Sequence, residues 1–184
     1  MPRLFTALDL PSAAVDALRA FREQWDFDAR TRWTPPQNLH LTLRFIGEVD
    51  EKQAARVEAA LAEVRPSAPF DVEPIGLGVL PSRRKPRVLM VRIDPSEPLC
   101  ALYDALQDAL AGVGVERERR TFRPHVTLAR MKNAVPVRLH EALQNAPEPD
   151  LGAFAVDRFY LYESTLTPDG AVHSIRAEYP LGAN

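Results

Sequence analysis

Cysteine is nearly absent from this 184-residue chain: Cys100 stands alone, so no internal disulfide can form. Its apolar helical surroundings predict a buried structural thiol, because a catalytic thiolate needs an electropositive, partly open setting. Long apolar runs are missing too. The opening stretch, Met1 to Ser12, has no long apolar core behind a basic lead, and no later segment approaches bilayer-spanning length. A cytoplasmic protein with no membrane attachment is therefore expected. Positive charge is not in excess: the net charge of −2 argues against coating duplex nucleic acid by bulk electrostatics, while recognition of one nucleotide end stays open. Lysine is scarce, and arginine supplies 20 of the 23 basic residues, but these are spread along the chain and assign no function.

What is present is ordinary for a globular protein, with 46% hydrophobic and 26% charged residues. The length suits one substantial core or two small lobes sharing a groove. Self-similarity decides between these. Leu4 to Asp9 resembles Leu89 to Asp94, and each is a short apolar strand pattern running toward Pro and Ser. Helical patterns follow over Ala13 to Trp25 and Pro98 to Ala111, with Asp9 to Ser12 and Asp94 to Ser96 offering capping residues. Next come His40-Leu41-Thr42-Leu43 and His125-Val126-Thr127-Leu128, then helical stretches over Glu51 to Val64 and Val137 to Asn145. Strand patterns over Phe70 to Leu80 and Phe154 to Glu163 close each half. Pro81 to Pro86 and Gly112 to Arg120 read as surface connections.

The expectation is an α+β fold: one two-lobed domain over residues 1–184, with a pseudo-repeat of approximately 4–80 and 89–163. An approximate twofold would set two antiparallel sheets facing a central groove, with helices on the outer faces.

Within a strand, side chains alternate, so His40 and Thr42 share one face while Leu41 and Leu43 enter the core; His125 and Thr127 do the same. Each strand then presents an imidazole and a hydroxyl about 7 Å apart. Two histidines suit in-line displacement at a phosphodiester, one accepting a proton from water and the other donating to the departing sugar oxygen. Thr42 and Thr127 can hydrogen-bond the non-bridging oxygens. Chance predicts roughly 0.2 His-x-Thr tripeptides in such a composition, so two copies, each followed by Leu, are informative. The bland alternative is a pair of polar residues on exposed strand faces. A metal site would need a third ligand that neither motif supplies, so no metal is expected. His140, in a helical pattern, and His173, after a turn at Pro168-Asp169-Gly170, read as solvated.

Arg130 is the candidate phosphate-binding cation, although strict alternation from His125 turns it away unless a bulge intervenes near Ala129. Phe45, its counterpart in the first half, is a candidate base-stacking platform under the same condition. Arg83, Arg84, Lys85 and Arg87, and likewise Arg117, Arg119, Arg120 and Arg123, are either further phosphate contacts or solvated charge.

The repeated His-x-Thr-Leu pattern, the approach Trp33-Thr34-Pro35-Pro36-Gln37-Asn38-Leu39 and the run Phe122-Arg123-Pro124-His125-Val126-Thr127-Leu128-Ala129-Arg130 resemble the two-histidine phosphoesterase superfamily. Within it the likeness is to the RNA 2',3'-cyclic phosphodiesterases, also called 2'-5' RNA ligases, and it runs from Leu4 to Leu181. The resemblance implies a bilobal α+β fold and opening of 2',3'-cyclic phosphate RNA ends to 2'-phosphates, without metal or other cofactor. It also implies joining of RNA halves through a 2'-5' linkage. Catalytic His40 would protonate the leaving 3'-oxygen and catalytic His125 would activate water, with Thr42, Thr127 and Arg130 on the phosphate. The expected partners are RNA ends or short oligoribonucleotides carrying the cyclic phosphate, met by a monomer. Met90 and His173 stand where the family pattern has aromatic residues, which bears on base preference. A non-catalytic RNA-end binder, or an enzyme for another small cyclic phosphate, is the alternative.

Overall fold

The computed structural model describes residues 1–25, 30–64, 68–132, 136–146, 149–168 and 170–182. Helix α1 (Ser12–Gln24) turns Ala14, Leu18 and Phe21 inward at three- and four-residue spacing, and α2 (Glu51–Ala62) does so with Ala54, Val57 and Leu61. Helix α3 (Glu97–Gly112) buries Leu99, Leu102, Leu106 and Leu110, and α4 is Pro136–Asn145. Asp50 caps α2 by accepting from the Gln53 amide at 2.7 Å. The expected side-chain caps of α1 and α3 are absent: neither helix start has one, and Asp9 instead accepts a hydrogen bond from Tyr162 at 2.6 Å.

The strands are β1 (Arg3–Asp9), β2 (Arg30–Trp33), β3 (His40–Glu48), β4 (Phe70–Val72), β5 (Pro74–Ser82), β6 (Lys85–Ile93), β7 (His125–Lys132), β8 (Phe154–Val156), β9 (Arg158–Thr167) and β10 (Gly170–Pro180). One eight-stranded sheet has the order β10-β9-β1-β3-β7-β6-β5, with β2 also on β7, and β4 pairs with β8 in a small second sheet. The mixed α+β, antiparallel architecture is as expected. The two expected sheets are, however, joined at one pair, Leu41 with Val126, so they form a single surface. The strand closing each half also crosses over, since β5 pairs with β6 and β9 pairs with β1.

Several boundaries differ from the sequence expectation. Glu73 separates β4 from β5, and Asp157 separates β8 from β9. Pro81 to Pro86 is no loose connection: β5 and β6 pair up to Ser82 and Lys85, with Pro81 opposite Pro86, leaving Arg83 and Arg84 as the turn. Asp169 of the expected turn after β9 lies outside the described residues.

The core runs across the joint. Leu41, Leu43, Val126 and Leu128 pack in one cluster with Leu18, Phe21, Val57, Leu61, Leu102 and Leu106 from the helices. The helices therefore cover the face carrying the apolar motif residues, and the motif His and Thr point the other way. Among the described residues no helix is long and apolar enough to cross a membrane.

Candidate active site

Antiparallel pairing of Leu41 with Val126 places Thr42 toward His125 and His40 toward Thr127 on the uncovered face, where the motif strands meet. All four of these residues are half-buried. Leu41 and Val126 are also equivalent positions at the 85-residue offset, so the junction sits midway between the two motifs.

The imidazoles are held alike. His40 Nδ1 lies 2.8 Å from the Asn38 carbonyl, and His125 Nδ1 lies 2.8 Å from the Arg123 carbonyl. A carbonyl only accepts, so each Nδ1 carries a proton, and in the neutral ring Nε2 is the bare nitrogen. In the first motif that nitrogen is 3.0 Å from Thr42 Oγ1, which donates to it. Asn38 has a second task, its side-chain amide donating to the Ala171 carbonyl at 2.7 Å and tying the start of β10 to the segment preceding His40.

Both motif strands carry the same irregularity. In β3 the pairing with β1 passes from Thr42–Ala7 to Arg44–Thr6, leaving out Leu43; in β7 the pairing with β6 passes from Thr127–Met90 to Ala129–Leu89, leaving out Leu128. The extra residue puts two consecutive side chains in the core, Leu43 with Arg44 and Leu128 with Ala129. Alternation resumes one step late. Phe45 therefore returns to the face of His40 and Thr42, and Arg130 to that of His125 and Thr127, both exposed. This meets the condition that the sequence set for each. Buried Arg44 braces the β3 bulge, donating to Gln107 Oε1 at 2.6 Å and to the Phe45 and Glu116 carbonyls.

Around His40 the structure gathers several rings, of which the sequence reading gave no role to Phe5 or Tyr162. Phe5 is packed against His40 (ring centres 4.9 Å), Phe45 (5.8 Å), Tyr162 (5.3 Å) and His173 (5.0 Å). His173 is not the solvated residue it was expected to be: it meets His40 edge-on at 5.5 Å, and its Nδ1 is buried without a hydrogen-bond partner. The polar, irregular sequence of β10 hides this, since only pairing with β9 carries His173 into the site. The alternation of Tyr160 with Tyr162 was the available signal. His140 sits exposed on α4.

Burial pushes the His40 pKa down to about 4, with the neighbouring His173 and His125 adding to the effect against the opposing Asn38 bond. Burial also lowers the pKa of His173. Near neutral pH the free site thus holds His40 as a neutral imidazole. Among the described residues no group of three His, Cys, Asp or Glu side chains is placed to hold a metal ion. In the basic clusters, Arg117 pairs with Asp108 and Arg119 with Glu116, whereas Arg83 and Arg123 line a groove beside the second motif.

The arrangement offers two imidazoles held alike through Nδ1, two hydroxyls and one arginine about a single junction, a set suited to proton transfer on both sides of a phosphate. An RNA 2',3'-cyclic phosphodiesterase of Aquifex aeolicus is 30% identical over 98% of this chain and 97% of its own length. One from Thermotoga maritima is 35% identical, covering 79% of this chain and 77% of its own. Among solved structures, Escherichia coli LigT complexed with 3'-AMP superposes with a TM-score of 0.81 at 26% identity, over 100% of both chains. The model of the 2'-5' RNA ligase superfamily matches residues 9–167, and this chain belongs to that superfamily.

Proposed function

We propose that this protein is an RNA 2',3'-cyclic 3'-phosphodiesterase, a metal-independent hydrolase that opens 2',3'-cyclic phosphate RNA ends to 2'-phosphates and can join RNA through a 2'-5' linkage. The reading takes residues 1–184 as a single two-lobed domain, with repeat units of about 4–80 and 89–163. It places the enzyme in the cytoplasm as a monomer, acting on RNA ends or short oligoribonucleotides without cofactor.

One observation carries it. The two histidines have the same tautomer-fixing bond to the carbonyl two residues upstream, on strands that meet at Leu41 and Val126. In-line attack at phosphorus puts the nucleophile and the leaving oxygen on opposite sides, which is what a proton acceptor and a proton donor on either side of one junction serve. His125 takes the proton of the attacking water at Nε2, and His40 gives a proton from Nε2 to the departing 3'-oxygen. Thr42, Thr127 and Arg130 hold the non-bridging oxygens, Arg130 by its planar fork. Phe45 supplies an exposed ring for the base. His40 is neutral in the free site, so it gains its proton with the substrate: the phosphate's negative charge opposes the burial that depresses its pKa.

The test is the position of the phosphate left on a 2',3'-cyclic nucleotide, read by phosphorus NMR. A 2'-phosphate is expected. A 3'-phosphate would mean that the 2'-oxygen leaves and that the assigned direction is wrong.

A further inference from the structure

A groove of about 430 Å³ opens on the second half of the sheet, lined by Leu77, Gly78, Met90, Arg92, Phe122 and Arg123 among others, with Arg83 also on its wall. It begins at the motif itself: Arg92 pairs with His125, Met90 with Thr127, and the Arg123 carbonyl holds the His125 ring. Three arginines and no carboxylate are among the described residues that line it.

One of these arginines is fixed. Arg92 donates from Nη2 to the Ile75 carbonyl at 2.8 Å and from Nε to the Leu77 carbonyl at 3.2 Å, which lays the side chain across β5. Gly78 makes room for it, since a Cβ there would stand 2.9 Å from Arg92 Cγ and 3.0 Å from Met90 Cε. The first half differs at the equivalent place. The positions equivalent to Met90 and Arg92 are Phe5 and Ala7, and His40 is surrounded by aromatic rings. The two sides of the phosphate position are therefore built for different occupants.

We propose that this groove is the binding site for the RNA strand that brings an attacking 5'-hydroxyl, with its first nucleoside over Gly78 and Met90 and its backbone phosphates toward Arg83, Arg92 and Arg123. The inference rests on the assignment of His125 as the base, because the attacking group must approach from the His125 side. In the joining step the 5'-oxygen gives its proton to His125 and bonds to phosphorus. The bond from phosphorus to the 3'-oxygen breaks, and that oxygen takes the proton of His40, leaving a 2'-5' phosphodiester. Water follows the same course in hydrolysis and needs no groove. The volume accommodates a nucleoside, and the arginine-only charge matches a phosphate backbone.

The test is a partition experiment. An oligoribonucleotide ending in a 2',3'-cyclic phosphate is incubated with a saturating 5'-hydroxyl oligoribonucleotide, and the ratio of joined to hydrolysed product is measured for wild type, Gly78→Val and Arg92→Ala. Being a ratio within one reaction, it is independent of the folded fraction. Each variant is expected to lower it about tenfold or more. An unchanged ratio in both variants, or hydrolysis alone by wild type, would overturn the proposal. If the variants instead slowed hydrolysis of a cyclic-ended trinucleotide relative to a cyclic mononucleotide at an unchanged ratio, the groove would hold the strand upstream of the cyclic end, and the proposal would fall. Neither product from wild type would remove the phosphodiesterase reading itself, and this inference with it.

Discussion

Leu41 and Val126 pair with each other across the middle of the sheet while each separates the His from the Thr of its own motif. The pair is wholly buried, so the contact at which the two motif strands meet is also the floor of the site. Truncating Leu41→Ala removes packing at the junction and leaves a cavity at the one position where β3 and β7 pair with each other. A loss of about 2–5 kcal/mol of unfolding free energy is expected from denaturant titration. A loss below about 1 kcal/mol would mean that the neighbouring side chains collapse into the space and that the junction does not depend on this packing.

The depressed pKa of His40 makes stability depend on pH. In the unfolded chain the ring takes a proton near its ordinary value of 6.5, and in the fold only near about 4, so between these values the unfolded state binds more protons. Stability is expected to be full above about pH 6.5 and to fall as the pH drops toward 4, by roughly 2–3 kcal/mol from this residue. His173, also lowered by burial, acts in the same direction. Urea unfolding of wild type and His40→Gln across this range should show a shallower pH dependence in the variant. Matching slopes would place the acid sensitivity elsewhere.

Ligand binding runs the same linkage in reverse. A 2'-phosphate product should raise the His40 pKa from about 4, which is visible as an upward shift of its ring-proton titration by NMR. A His40 that titrates at the same pH with and without product would remove its role as the proton donor.

Arg130 is brought to the site by the extra residue at Leu128, and no catalytic use of the turn residue Arg84 is proposed. Arg130→Ala is expected to lower kcat/KM for a 2',3'-cyclic mononucleotide by about tenfold or more, and Arg84→Ala by less than about twofold. Equal effects would mean that the arginine has been wrongly chosen.

Much of this was legible in the sequence because it is local. The spacing of Leu99, Leu102, Leu106 and Leu110 marks α3, and His40, Thr42, His125 and Thr127 share faces by simple alternation. The condition on Arg130 and Phe45 could be stated but not resolved, since whether a strand bulges depends on its partner. What stayed hidden depends on distant pairing. β10 is an irregular edge strand whose residues acquire meaning only against β9, so His173 read as solvated. The tip of the β5–β6 hairpin read as a loop because Pro81, Ser82, Arg83, Arg84, Lys85 and Pro86 have the composition of one. The crossing of β5 and β9 between the halves left no local signature at all.

On the proposed mechanism two histidines, without a metal ion, open the cyclic ester. The most direct measurement incubates the protein in excess EDTA with an oligoribonucleotide ending in a 2',3'-cyclic phosphate, beside His40→Ala and His125→Ala, and identifies the product end. A 2'-phosphate formed by wild type at its metal-replete rate, and by neither variant, is the predicted result. Activity abolished by EDTA and restored by a divalent cation, or retained in either variant, would contradict it.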